Sequence, residues 1–149
     1  MATPSALATL IELANKETDE AAKRLGEAVR LRADATQKLD LLMQYRDDYA
    51  LRCQASMASG IGATQFNNFQ VFMAKLDQAI AGQQQVVADA GRRADQARIA
   101  WMACEQKKMS FVTLNTRAVR AEARHELKRD QKQNDEYATR SAHPKHPSH

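Results

Sequence analysis

The sequence predicts an all-α fold, a long antiparallel two-helix coiled-coil hairpin with a projecting C-terminal helix and a disordered tail. Three observations predict it. The chain of 149 residues holds only five glycines and three prolines, the prolines at positions 4, 144 and 147; that is too few breakers for a β protein and leaves no interior linker. Apolar residues recur at steps of four and three through both halves, the spacing of a coiled-coil seam. Between the halves lies "SMASGIGATQF" (56–66), where Gly60 and Gly62 stand a single residue apart.

The first helix is expected over about 5–58, a stretch with one glycine, Gly26, and no proline, rich in Ala, Leu, Glu, Gln, Lys and Arg, the strong helix formers. Pro4-Ser5 supplies a start, and Glu12, Glu17, Asp19 and Glu20 load the early turns. Its seam reads Ala21, Leu25, Ala28, Arg32, Ala35, Leu39, Leu42, Arg46, Tyr49, Cys53, with the two arginines as polar interruptions. The turn is expected at about 59–64 and the second helix at about 65–138. The second seam runs Phe69, Met73, Leu76, Ile80, Gln83, Val87, Ala90, Ala94, Ala97, Trp101, Cys104, Lys108, Phe111.

Each seam needs a partner, and the nearest is the other arm, so the two fold back antiparallel. A turn centred on Gly60 to Gly62 pairs residues whose numbers sum to about 121–123. Leu25 then faces Ala97, Leu42 faces Ile80, and Tyr49 faces Phe72 or Met73. In the middle, alanines face alanines and Trp101 fills the space opposite Ala21 or Ala22; so little apolar area gives modest stability. Helical composition continues to about Arg140, so roughly twenty residues, ~30 Å, project beyond the paired region. Residues 1–140 thus form a single coiled coil, and "SAHPKHPSH" (141–149) reads as a flexible tail.

Cys53 and Cys104 match no zinc or dithiol spacing and read as small core residues. No metal or other cofactor is expected. The chain has no phosphate-binding loop, nucleophile elbow or HExxH, and outside the tail His125 stands alone, so no enzyme is expected. It has neither a run of ~18 apolar residues nor a basic segment followed by an apolar one at its start. The expectation is a cytosolic protein whose membrane association goes through partners.

Two surface features remain. Leu42, Tyr45 and Tyr49 lie on one face of the first helix, Phe72, Leu76 and Ala79 on one face of the second, and the register puts the two sets on one stretch of the hairpin. They either thicken the core or, because two helices offer no third layer to cover their flanks, form an exposed docking patch. The net charge of +4 arises in the second arm. There Arg117, Arg120, Arg124 and Lys128 make a basic stripe, which reads as a solvated face balanced by Glu122, Glu126 and Asp130, as a nucleic-acid contact without interleaved aromatics, or as a plug for a protein socket.

Four segments carry a resemblance: "LATLIELANKETDEAAKRLGE" (7–27), "GIGATQFNNFQVFMAKLDQAI" (60–80), "DQARIAWMACEQKK" (95–108) and "DQKQNDEYATRSA" (130–142). In their order, with the glycine bend and the Trp position, the chain resembles the FliJ family of the bacterial flagellar type III export apparatus. The resemblance implies a two-helix coiled coil similar to the central stalk subunit of rotary ATPases. It implies that the end holding both termini enters the hexameric ring of the export ATPase and promotes its activity. It further implies contact with the export-gate membrane protein FlhA and with substrate chaperones, at the inner membrane of the flagellar base. Carried onto this sequence, the gate patch is Leu42, Tyr45, Tyr49, Phe72, Leu76 and Ala79, and the ring end uses Leu13, Leu25, Arg30, Arg117, Arg120 and Arg124. The alternatives are the equivalent stalk of a virulence secretion system and a basic coiled-coil arm that binds nucleic acid.

Overall fold

The computed structural model describes residues 3–142. Nearly all of them lie in two helices, α1 (Pro4–Ser59) and α2 (Ala63–Ala142), packed antiparallel as a coiled-coil hairpin, and no strand occurs among the described residues. The start of α1 is set by Thr3. Its hydroxyl accepts the Ala6 N–H at 3.2 Å and its carbonyl accepts the Leu7 N–H at 3.0 Å. Pro4 takes the first helical position, where no N–H is needed. The first turn of α1 holds no acidic residue. Glu12, Glu17, Asp19 and Glu20 lie beyond the turn over which the helix dipole acts, so they do not favour the start as the sequence reading has it.

The bend is shorter than expected, three residues from Gly60 to Gly62. Gly60 adopts φ +82° and donates its N–H to the Met57 carbonyl at 3.1 Å, the left-handed glycine that closes a helix C-terminus. The Gly62 carbonyl accepts the first bond of α2, from the Phe66 N–H at 3.1 Å, which draws Ala63 and Thr64 into the helix. At its far end α2 takes in Ser141 and Ala142; the remainder of the expected tail, 143–149, lies outside the described residues.

The packing divides into two compact units: Asp19–Ala103, which contains the bend, and Met1–Thr18 with Cys104–His149. In the bend unit Tyr49 stacks on Phe72 at 4.6 Å between ring centroids, and Arg46 Nε donates to Asp77 Oδ1 at 2.5 Å; both pairs fit the register counted from the glycines. In the other unit Lys107 Nζ stands 3.7 Å from Glu17 Oε2, while Leu7, Ala14 and Thr18 are buried.

The sheltered seam runs further than the apolar residues alone indicate. In α1 it extends back from Ala21 through Thr18, Ala14 and Ile11 to Leu7, and in α2 it extends forward from Phe111 through Asn115 to Ala118. Polar members are accommodated individually. The buried Thr18 hydroxyl donates to the Ala14 carbonyl at 2.7 Å, and Gln83 Nε2 crosses to the Ala35 carbonyl at 3.0 Å. Arg32 escapes over Gly91, where an added Cβ would stand 3.9 Å from its Nε. Of the six buried apolar residues four are alanines, Ala14, Ala21, Ala35 and Ala94, so hydrophobic stabilisation per residue is small. Beyond Ala118 the periodicity of exposure ends, and every residue from Val119 to Ala142 faces solvent.

The bend geometry gives a direct expectation. Gly60→Ala forces a Cβ into the left-handed region and lowers unfolding free energy by about 1–2 kcal/mol. Gly62→Ser, at a helix N-cap with no positive φ, leaves stability unchanged or raises it slightly. Thermal unfolding followed by circular dichroism checks both.

Candidate docking surface

Close to the bend, four aromatic rings meet across the two helices. The Tyr45 and Phe72 centroids lie 6.3 Å apart at 77°, those of Tyr49 and Phe69 5.5 Å apart at 66°, and those of Tyr49 and Phe72 4.6 Å apart at 57°. Edge-on and tilted pairs of this kind favour the positive ring edge against the negative face. Phe69 belongs to the seam. Tyr45 and Phe72 flank it, so the cluster grows outward from the packed interface to the surface.

The six patch residues are not equivalent. Tyr45 is 48% exposed and Ala79 is also exposed, while Leu42, Tyr49 and Phe72 are half-buried. Leu76 is only 7% exposed and belongs to the packing between the helices rather than to a surface that another molecule touches. Beside Tyr45 opens a cleft of about 500 Å³ lined by Lys38, Leu41, Leu42, Tyr45 and Gln83. Sequence reasoning passed over Lys38 and Leu41. Their spacing of seven and four residues before Tyr45 places them on its face of α1.

Electrostatics frame this surface. The Asp77 carboxylate, hydrogen-bonded to Arg46, holds that guanidinium firmly in its charged form. Burial among the rings pushes the Tyr49 phenol above its usual range, with smaller contributions from Cys53 and Tyr45.

The second set of predicted residues is spread over both units. Leu13, Arg117, Arg120 and Arg124 are exposed in one; in the other Arg30 is exposed and Leu25 half-buried. None of the ion pairs among the described residues uses Arg117, Arg120 or Arg124, so the acidic residues on the same helix do not neutralise them by direct contact. Cys53 and Cys104 are free and half-buried. Among the described residues no group of three or more His, Cys, Asp or Glu side chains could hold a metal ion, and no helix is long and apolar enough to cross a membrane.

The family model described as "Flagellar FliJ protein" matches residues 4–146. The chain is 34% identical over 142 residues, 95% of its length and 97% of the relative's, to the Flagellar FliJ protein of Escherichia coli (strain K12). The Flagellar FliJ protein of Salmonella typhi gives the same identity and coverage.

The unequal burial separates packing from surface. Tyr49→Ala removes two ring contacts and is expected to destabilise by about 2 kcal/mol. Tyr45→Ala, at an exposed edge, costs less than about 1 kcal/mol by the same denaturation measurement. Because the raised Tyr49 pKa favours the neutral phenol in the fold, its contribution is complete below the unfolded value of about 10 and is lost as pH rises through the folded value. Tyr49→Phe therefore loses less stability than the parent between pH ~9 and ~11, read from denaturation midpoints.

Proposed function

The chain belongs to the flagellar FliJ family, and from that premise we propose that it is a non-enzymatic stalk component of the flagellar protein export machinery, joining the export ATPase ring to the membrane export gate. The exposed aromatic cluster carries this reading. A two-helix hairpin has no third layer, so Tyr45 and the half-buried Phe72, Tyr49 and Leu42 present apolar area that another protein is able to cover. Aromatic side chains held rigid by neighbouring rings lose little entropy on binding, which is why such residues dominate interface energetics. In this reading the gate protein FlhA covers Leu42, Tyr45, Tyr49, Phe72 and Ala79, while Leu76 holds the patch from beneath.

The solvent-exposed continuation of α2 supports the second contact. Arg117, Arg120 and Arg124 recur every three to four residues on a helix whose described residues beyond Ala118 are all exposed, a slim cationic element suited to an acidic or carbonyl-lined socket. Leu13 of the same unit, and Leu25 and Arg30 of the other, are assigned to the same partner, the ATPase ring. A stalk couples ATP turnover to its own position only if it binds successive ring conformations unequally. Long-range charge on such a helix biases that choice without requiring one fixed set of contacts. The protein then sits peripherally at the inner membrane through the gate, where substrate chaperones also meet it.

Two variants divide the contacts. Tyr45→Ala with Phe72→Ala is expected to weaken capture of the gate's cytoplasmic part by ~30-fold or more while leaving stimulation of the export ATPase intact. Arg117→Ser, Arg120→Ser and Arg124→Ser together do the reverse. If both variants retain both activities with unchanged helicity, the assignment is wrong. If instead the arginine variant loses salt-sensitive retention on DNA while ATPase stimulation persists, the stripe is a nucleic-acid contact.

A further inference from the structure

Within the bend unit each helix carries a second stripe, one residue before its seam. On α1 it runs from Glu20 to Arg52 and every member is exposed; on α2 it runs from Phe72 to Ala100 and only Phe72 is half-buried. The Tyr45–Phe72 contact and two clefts lined from both helices, of about 550 and 500 Å³, put the stripes on one face of the unit. The larger cleft is lined by Ala28, Ala35 and Ala90 of the seam and by Leu31 and Val86, which are 58% and 49% exposed. Such a face has room for further helices.

The charges of this face choose the occupant. At alternating steps of four and three from Glu20 to Arg52, α1 reads acid, base, acid, leucine, acid, base, leucine, tyrosine, acid, base. Laid antiparallel on a copy of itself, with residue numbers summing to 72, Glu20 meets Arg52, Arg24 meets Asp48 and Asp34 meets Lys38. Leu31 then meets Leu41, Glu27 meets Tyr45, and no like charges are opposed. A slip of one heptad either way keeps a single ion pair, Glu27 with Lys38 or with Arg52, and sets Leu31 against Asp34 or Asp48. None of Glu27, Asp34, Lys38, Asp48 and Arg52 has an ion-pair partner among the described residues, and Arg24 reaches only Glu20, at 3.8 Å.

The hairpin register carries the same axis to α2. Val86 falls on it and meets its own copy, Ala79 lies opposite Arg93, Gly82 opposite Asp89 and Lys75 opposite Gln96, again without like charges and with small residues where the backbones approach. The opposite flank, one residue after each seam, offers no such fit. It holds Asp40, Asp47, Asp77 and Asp95 against Arg98 alone, so two copies of it repel.

We infer that the bend unit pairs with that of a second copy of this chain through the stripe from Glu20 to Arg52, α1 on α1 and α2 on α2, antiparallel about a two-fold axis at Val86. In a two-fold interface each contact occurs twice, so the three ion pairs become six, and the two hairpins complete a four-helix bundle with Leu31, Leu41, Tyr45 and Val86 inside. Exposed ion pairs contribute little each, so the association is reversible and salt-sensitive, with register set by charge. Tyr45, Phe72 and Ala79 lie on the same face, so a paired copy withholds them from the gate; that consequence rests on the docking reading above, whereas the pairing does not.

The test is sedimentation velocity of the full chain with Cys53→Ala and Cys104→Ala. The parent is expected to self-associate as its concentration rises and to dissociate at about 1 M salt, where the screening length is ~3 Å. Arg24→Glu and Asp48→Arg, each at unchanged helicity, weaken self-association by ~10-fold or more. Mixed in equal amounts, these two variants associate with one another as the parent does, because the two substituted side chains then meet each other and the two native ones meet each other. In the same background Val86→Cys bridges to its own copy under mild oxidation, while Val29→Cys, as exposed but on the opposite flank, does not. The inference is overturned by a parent that stays monomeric up to about 1 mM, by charge variants that associate as the parent does, by a mixture no more associated than its components, or by equal bridging at 29 and 86. Neither Arg24 nor Asp48 belongs to the gate patch, so failure here leaves the docking reading standing, and loss of gate capture would leave this one.

Discussion

Both helices shelter their seam residues at alternating steps of four and three, from Leu7 to Ser56 in α1, where Arg32 alone is exposed, and from Phe69 to Ala118 in α2. A repeat of this kind keeps one face of each helix turned toward its partner along the whole paired length. The other features depend on it. With only two helices, one stripe per helix is covered and the flanks are not, so side chains such as Tyr45, Leu41 and Val86 remain exposed. The surface a partner could use is therefore a by-product of the packing that makes the hairpin.

The buried apolar positions of the seam are mostly alanine, which binds weakly and discriminates poorly between registers. Polar residues in the seam supply discrimination at some expense of stability, as single polar residues do in coiled coils generally. Arg46 finds Asp77, Gln83 finds the Ala35 carbonyl and Arg32 finds the open space over Gly91. A slip by one heptad would separate all three from their partners. The same register brings Tyr45 and Tyr49 onto Phe72, so stability, register and the candidate docking surface are consequences of one alignment.

Much of this was legible in the residues. The seven-residue repeat is a property of backbone geometry and shows wherever apolar side chains mark it, and two glycines mark the reversal. Counting outward from them brings Tyr49 to Phe72. What was hidden lies where chemistry and position disagree. Thr18, Asn115 and Ala118 occupy seam positions without advertising them, because small and polar residues blur an apolar pattern. Leu76 and Ala79, three residues apart, are both read as patch members, although the seven-residue repeat already puts Leu76 on the seam and Ala79 on its flank; the packing shows that the seam position is the one that counts. The cap at Thr3 and the short bend rest on individual hydrogen bonds, which residue type constrains loosely.

The protein is a member of the flagellar FliJ family, and its aromatic flank is exposed beside the bend. The placement of that flank follows from the register of the bend unit, and the most direct test of the account is to trap it chemically. In a background of Cys53→Ala and Cys104→Ala, Leu42→Cys is combined with either Ile80→Cys or Met73→Cys, and disulfide formation is measured under mild oxidation. The account predicts rapid and nearly complete bridging of positions 42 and 80, and little between 42 and 73. Efficient bridging of the second pair in place of the first would mean that the helices are paired one heptad away, and that the aromatic cluster is not the surface the protein presents.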